Sequence, residues 1–393
     1  MTVDTDPTKI AELLARGVTE IIGRDELVAK LNSGQTLRVK LGIDPTSANL
    51  HLGRSIPLLK LRDFQDLGHQ IIFVIGDFTG QIGDTSDKES ERPMLTEAEV
   101  ATNLTSYVEQ VGKILDLERC EIRHNSEWLK QLTFAEIGRQ ADAFSVSDFI
   151  ARDNIKRRLE AGKRVSLRET LYPLLQGYDS VEIRADVEVG GTDQRFNMLA
   201  GRELQRLYDQ APQSIITNPL IDGLDGRKMS SSWGNVIKIT ETAPEMYGQV
   251  MSLRDELIIP YFINTTRFDL DQIRQFESEL VAGGNPKEIK MKLAHELVRF
   301  YHSAIAADQA QEYFVKTFSQ KELPDRLPEL KPSAYDLLTV LTEAGFAESK
   351  SDARRAIEQD GVRVNEAPVT DPKLVLNPGD IVQKGKRHFM KVI

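Results

Sequence analysis

The chain has 393 residues, 40% of them hydrophobic and 28% charged, with a formal net charge of −10. That balance is typical of a globular protein with room for two or three domains, and it excludes a surface coated in base for indiscriminate nucleic-acid binding, though not a local basic patch. No apolar stretch approaches the roughly 20 residues that span a bilayer. The acidic start Met1-Thr2-Val3-Asp4-Thr5-Asp6-Pro7 does not read as a secretory signal, and the single Cys120 excludes an intramolecular disulfide. A cytoplasmic protein with no membrane association is expected. One thiol and six scattered histidines give no zinc-ligand spacing, so no metal held by side chains is expected.

Residues 7–32 read as helical, with Ile10, Leu13, Leu14, Val18 and Ile21 at helical spacing. Residues 37–43 form an apolar run that reads as a strand, broken by Asp44-Pro45-Thr46-Ser47. A helix is expected from about 53 to 68, and the unbroken run Ile71-Ile72-Phe73-Val74-Ile75 suits a strand buried on both faces. Strand, helix and strand within about 40 residues form a βαβ unit. Later apolar runs such as 214–221 alternate with helical segments, so a parallel sheet with helices on both faces is expected. Ligands in such sheets bind at the carboxyl ends of strands, where the 44–54 loop lies.

The segment 152–168 holds Arg152, Lys156, Arg157, Arg158, Lys163, Arg164 and Arg168 against Asp153 and Glu160, a local charge of +5. It reads equally as a solvated helix face or as a nucleic-acid contact. Residues 236–320 are dense in helical patterning. Pro324, Pro328 and Pro332 mark 321–332 as a linker, and 333–393 is an independent tail with nine Lys/Arg against nine Asp/Glu.

Three groups of residues carry chemistry. His51-Leu52-Gly53-Arg54 opens a helix whose unpaired N–H groups favour phosphate; Gly53 lets a flat base or a phosphate approach the backbone, while Thr46 adds a hydroxyl and Arg54 a fixed charge. Lys228-Met229-Ser230-Ser231-Ser232 follows a Gly- and Asp-punctuated loop, and Lys228 is a mobile cation suited to charge developing on phosphates. Tyr172, Gln176 and Asp179, spaced i, i+4, i+7, share one helix face. Taken singly, each group also reads as a polar turn or an ordinary amphipathic helix.

Together they resemble the bacterial tyrosyl-tRNA synthetases, class I aminoacyl-tRNA synthetases. The first and second groups look like the two ATP signatures of that class, and Tyr172-Pro173-Leu174-Leu175-Gln176-Gly177-Tyr178-Asp179 looks like its tyrosine-binding helix. The resemblance covers about 35–393. It implies a Rossmann-like α/β catalytic domain over 1–235, with a connective and dimer-forming insertion at about 120–170. A helical domain (236–320) and a small α+β RNA-binding domain (333–393) of the kind first seen in a small-subunit ribosomal protein follow.

The resemblance further implies a tyrosine–tRNA ligase that uses ATP, with magnesium expected alongside, and that acts on L-tyrosine and tRNA(Tyr) as a homodimer. Catalytic roles fall to His51, Arg54, Lys228, Ser231 and Thr46. ATP would meet Gly42, Asp44, His51, Gly53, Gly191, Asp193, Lys228 and Met229, and tyrosine would meet Asp84, Tyr172, Gln176, Asp179, Gln194 and Lys40. RNA contacts are implied for Arg354, Arg355, Arg363 and Lys386, with Lys384 and Arg387 on the same face.

The chain departs from the family at three places. Arg54 stands where the first signature ends in His, and Ser231 where many members carry a second Lys, a charge that Arg227, Lys88 or Arg92 would offset. Lys40 stands where many members have a Tyr; it either pairs with Asp179 or supports the backbone. The competing readings are a tryptophanyl enzyme, a catalytically silent RNA-binding relative and a small-molecule nucleotidyltransferase.

Overall fold

The computed structural model describes residues 2–45, 49–84, 95–319, 327–365, 367–385 and 388–393. Six strands form the central sheet: β1 (Glu20–Ile22), β2 (Arg38–Ile43), β3 (Gln70–Ile75), β4 (Cys120–His124), β5 (Val187–Gly191) and β6 (Ser214–Asn218), in spatial order β1-β6-β5-β2-β3-β4. Every neighbouring pair is parallel except β1 with β6. Residues 71–75 are all buried, as an unbroken Ile/Val/Phe run requires of a strand covered on both faces. Strand order reverses between β2 and β5, which places the ligand crevice outside their carboxyl ends.

The expected N-terminal helix is interrupted. Helices Pro7–Ala15 and Arg24–Asn32 flank β1, with Gly17 at φ +60° and Gly23 at φ +73° making the turns. The helical spacing of Ile21 gave way to pairing with β6.

Helix Leu52–Asp66 is the next described element after β2, with His51 as its cap residue. Helix Leu167–Glu182 starts at a capping box between Ser166 and Glu169. Pro173 inside it removes the N–H that Glu169 O would accept, and Arg152 Nη2 reaches that carbonyl at 3.4 Å. Glu169 also takes both guanidinium nitrogens of Arg158, at 2.5 and 3.0 Å. Gly177 faces the backbone of Ala200 and Gly201, where a Cβ would sit 3.0 Å from either, so the helix packs tightly on Arg195–Leu207.

Helices between 243 and 314 share one apolar core with the sheet, running from Ile10 to Ala310, so packing is continuous across the expected 235/236 boundary. Residues 337–392 have their own core around Leu337, Val340, Ile357, Val362 and Val382. There, helices Leu337–Glu343 and Lys350–Glu358 pack on a sheet of β7 (Glu329–Leu330), β8 (Val362–Val364), β9 (Ala367–Pro368), β10 (Ile381–Lys384) and β11 (His388–Val392). β7 pairs with β11, so the end of the expected linker belongs to this unit. No helix among the described residues is long and apolar enough to cross a membrane.

Candidate active site

A cavity of about 260 Å³ opens at the carboxyl ends of β2 and β5. Its lining contains Gly42, Asp44, His51, Gly53, Arg54, Asp84, Tyr172, Gln176, Asp179, Gly191, Asp193, Gln194, Lys228, Met229 and Ser231. Residues separated by almost 190 positions in the chain thus converge on one crevice. Among the sequence-derived site residues, Thr46 lies outside the described residues, as do Lys88, Arg92, Lys386 and Arg387.

The two signatures touch. Gly53 N donates to Met229 Sδ at 3.3 Å, and a Cβ on Gly53 would lie 3.2 Å from the His51 ring and 3.4 Å from that sulfur. Leu52 N donates to Ile237 O at 3.0 Å, tying the helix start to the segment after the second signature. His51 is 5% exposed, and its Nδ1 has no hydrogen-bond partner among the described residues. Burial, then the nearby cations of Arg54 and Lys228, push its pKa down to about 3. With that shift the imidazole is neutral at pH 7 rather than a third cation.

The second signature is organised by Asn235, a residue the sequence reading passed over. Its Oδ1 accepts from Ser230 N at 2.8 Å, and its Nδ2 donates to Asp225 Oδ1 at 2.7 Å, Lys228 O at 3.1 Å and Arg227 O at 3.2 Å. Lys228 Nζ lies 3.2 Å from Asp193 Oδ2. Arg227, considered as an offset for the missing second Lys, is engaged elsewhere: it pairs with Asp225 at 2.5 Å and stacks on Trp233 at 4.8 Å.

Carboxylates dominate the deeper end. Tyr172 donates its phenol hydrogen to Asp44 Oδ2 at 2.8 Å, and Thr79 Oγ1 donates to Asp44 Oδ1 at 2.7 Å. A Cβ on Gly76 would fall 2.0 Å from Asp44 Oδ1, so only glycine leaves room for this arrangement. Gln194 Nε2 donates to Asp84 Oδ2 at 2.7 Å. Asp179, 3% exposed, accepts from Trp128 Nε1 at 2.8 Å and from Asn125 Nδ2 at 3.4 Å. Burial pushes its pKa up to about 7, against the opposing pull of Lys40, Trp128 and Asn125.

Lys40 requires a correction. It is fully buried but not part of the cavity wall, and its ammonium pairs with Glu188 at 2.9 Å rather than with Asp179. Its other donors reach Gln176 O, the backbone support that was the alternative expectation, and Ser180 Oγ, each at 2.9 Å. The sequence offered a signal for this pair: one lysine and one glutamate, each flanked by apolar residues in a buried strand (Val39-Lys40-Leu41 and Val187-Glu188-Val189). Such charges persist inside only when matched. Asn125 and Trp128 carried no comparable signal, because the helix that Asn125 caps and Trp128 lies in is only four residues long.

In the basic segment, Arg158 is 3% exposed and spent on Glu169, and Arg152 lies over the Phe149 and Phe196 rings at 5.7 and 4.9 Å. Lys156, Arg157, Lys163 and Arg164 stay exposed. In the C-terminal unit, Arg354, Arg355 and Arg363 are exposed, whereas Lys384 turns inward onto Phe346 O.

Residues 32–319 match the family described as tRNA synthetases class I (W and Y), and residues 337–382 match the S4 domain. The tyrosine–tRNA ligase of Moorella thermoacetica is 45% identical over 390 residues, covering 97% of this chain and 94% of that one. That of Thermotoga maritima is 43% identical over 391 residues, covering 98% of each. Among solved structures, the tyrosyl-tRNA synthetase of Archaeoglobus fulgidus complexed with L-tyrosine has a TM-score of 0.63 at 22% identity, covering 78% of this chain and 100% of that one. A C-terminally truncated mitochondrial tyrosyl-tRNA synthetase of Aspergillus nidulans has a TM-score of 0.66 at 21% identity, covering 79% and 94%. These two likenesses show the fold. The chain belongs to the class I tRNA synthetases of the tryptophan and tyrosine group, with an S4 domain at its C-terminal end.

Proposed function

We propose that the cavity receives L-tyrosine at its carboxylate end and ATP between the two signatures. The chain is a tyrosine–tRNA ligase: it joins tyrosine to ATP, giving tyrosyl-AMP and pyrophosphate, and transfers the tyrosyl group to the 3′ end of tRNA(Tyr). The observation that carries the choice of amino acid is Asp179, a buried carboxylate facing the cavity and braced by Trp128 and Asn125. A carboxylate in that place accepts a hydrogen bond from a phenol and is left unsatisfied by a phenyl ring.

At the other end, Tyr172, Gln176 and Asp84 receive the ammonium group, with Gln194 near the substrate and its activated carboxylate. No side chain serves as a covalent nucleophile: rate comes from holding the tyrosine carboxylate against the α-phosphate and from stabilising the departing pyrophosphate. Neutral His51 donates a hydrogen bond there, while Arg54 and Lys228 supply charge and Ser231 a hydroxyl. Lys228 leaves Asp193 for the phosphates as ATP enters. Thr46 belongs to the same phosphate site, and Gly42, Gly53, Gly191 and Met229 shape the base and ribose site. Magnesium accompanies ATP as part of that substrate.

The protein works in the cytoplasm as a homodimer. Its insertion exposes Phe134 (91%), Val146 (75%) and Leu167 (79%), apolar surface that a second copy would cover. The tRNA lies along exposed Arg354, Arg355 and Arg363 and along Lys386, with the basic segment near its acceptor end. ATP–pyrophosphate exchange with tyrosine, phenylalanine and tryptophan supplied separately tests the reading. Exchange with tyrosine alone supports it; exchange driven by tryptophan would overturn it.

A further inference from the structure

The floor of the cavity holds a chain of hydrogen bonds whose polarity is fixed at both ends. Glu188 Oε1 accepts from Gln176 Nε2 at 3.1 Å. Asn197 Nδ2 donates to Gln176 Oε1 and to Gln194 Oε1, each at 3.1 Å. Gln194 Nε2 donates to Asp84 Oδ2 at 2.7 Å. A carboxylate can only accept. Gln176 must therefore turn its NH₂ to Glu188, Gln194 must turn its NH₂ to Asp84, and Asn197, between two carbonyl oxygens, must donate to both. The arrangement has a visible cost, because Asn197 Oδ1 is left buried with no hydrogen-bond partner. If Asn197 turned the other way, its oxygen would face two other oxygens and both existing hydrogen bonds would be lost.

Glu188 itself is clamped. It stands directly across from Lys40 in the β2–β5 register, at 2.9 Å, with the two side chains 1% and 0% exposed. Ser180 Oγ and Gln213 Nε2 occupy its second oxygen. All three donors of the Lys40 ammonium are used, on Glu188, Gln176 O and Ser180 Oγ. A buried ion pair with full hydrogen bonding has one arrangement rather than several.

The consequence lies in the cavity. With its NH₂ held on Glu188, Gln176, itself on the cavity wall, keeps its Oε1 as an acceptor that has taken one hydrogen bond, from Asn197. With its hydrogen given to Asp44, Tyr172 likewise offers oxygen. Asp84 offers a carboxylate. This end of the cavity thus presents acceptors, which suits a group with three N–H donors.

We propose that Glu188, locked by Lys40, is a positioning residue that polarises the Gln176–Asn197–Gln194 amide chain so that acceptors face the α-ammonium of the amino acid. It touches no reacting atom and acts through Gln176. The inference rests on the cavity being the tyrosine site. Glu188→Gln keeps the shape but gives Gln176 a neighbour that also donates, so the amide direction is no longer fixed.

The test is calorimetric titration of the full chain and its variants with two ligands. Tyramine keeps the phenol and the ammonium; 3-(4-hydroxyphenyl)propanoate keeps the phenol and lacks the ammonium. At pH 8 the Asp179 carboxyl of the unaltered chain, pushed up to about 7, is ionised. Glu188→Gln should weaken tyramine by about tenfold or more, the size of one charge-assisted hydrogen bond, and leave the propanoate within about twofold. Lys40→Met with Glu188→Gln removes both charges, leaves no lone ammonium inside, and should show the same split. Equal weakening of both ligands, or no change for tyramine, would overturn the proposal. Absence of tyramine binding by the unaltered chain would instead overturn the assignment of the cavity to tyrosine.

Discussion

Trp128 donates its indole N–H to Asp179 Oδ1 at 2.8 Å across 51 positions of sequence. The bond stabilises the ionised form of a carboxyl that burial pushes toward neutrality, to about 7 from its usual 3.8. The folded chain therefore keeps a proton between about pH 4 and 7 that the unfolded chain has released. This group's contribution to stability falls as pH rises through that window and is level above it. Tyrosine affinity runs the other way, rising as Asp179 ionises. Trp128→Phe should shift the midpoint of tyrosine affinity above pH 7, which binding titrations at several pH values would reveal; an unmoved midpoint would refute the link.

Asp179→Asn should remove both pH dependences. It should also lower tyrosine use by about 1–3 kcal/mol, roughly one to two orders of magnitude in kcat/KM, with ATP affinity little changed. Steady-state exchange with tyrosine and phenylalanine measures this directly, and unchanged selectivity between the two would remove Asp179 from its assigned role.

His51 is held at about 3, below its usual 6.5, by burial and by the cations of Arg54 and Lys228. Between those values the unfolded state binds a proton that the folded state does not. This stability is complete above about pH 6.5 and is lost as pH falls toward 3. The ring should keep the NMR shifts of a neutral imidazole down to pH 5. His51→Ala should lower kcat for exchange by about 10²–10³, while His51 ring resonances that titrate near pH 6.5 in the unaltered chain would contradict a neutral His51.

Arg54 and Ser231 both line the cavity, one adding charge to the first signature and the other leaving it out of the second. Arg54→Ala should cut kcat by about 10²-fold with tyrosine KM unchanged. Adding Ser231→Lys to that variant should restore part of the loss. Failure of the lysine to recover any activity would show that the two positions do not serve the same phosphates.

Because β7 pairs with β11, a truncation after Pro332 would leave Glu329–Leu330 without its partner strand. Removal from 327 onward should leave tyrosine-dependent exchange within about twofold, since the larger core runs only to Ala310, and should abolish tRNA charging. Undiminished charging of tRNA would assign the C-terminal unit to stability alone.

Much of the site was legible before any fold was known. Helix starts have a fixed chemistry, so His51-Leu52-Gly53-Arg54 after an apolar run already implied a phosphate site, and helical period alone put Tyr172, Gln176 and Asp179 on one face. The residues that escaped were those defined by partners distant in sequence: Asn235 serving a loop, Trp128 and Asn125 bracing Asp179, and Glu188 beneath Gln176. Each is an ordinary polar or aromatic residue locally, and its role exists only through contacts that local pattern does not encode.

The sequence by itself determined the βαβ beginning, the two signatures, the shared helix face of Tyr172, Gln176 and Asp179 and a separate C-terminal unit, because hydrophobic period, glycine placement and caps act over a few residues. The tertiary structure alone decided that residues 7–32 would break around β1, that Arg158 and Arg227 would be spent on carboxylates, and that Lys40 would meet Glu188 rather than Asp179. Each of those outcomes is a choice among competing partners. Such choices are settled by strand register and burial, where an unmatched charge or an unpaired strand edge costs more than any local preference returns.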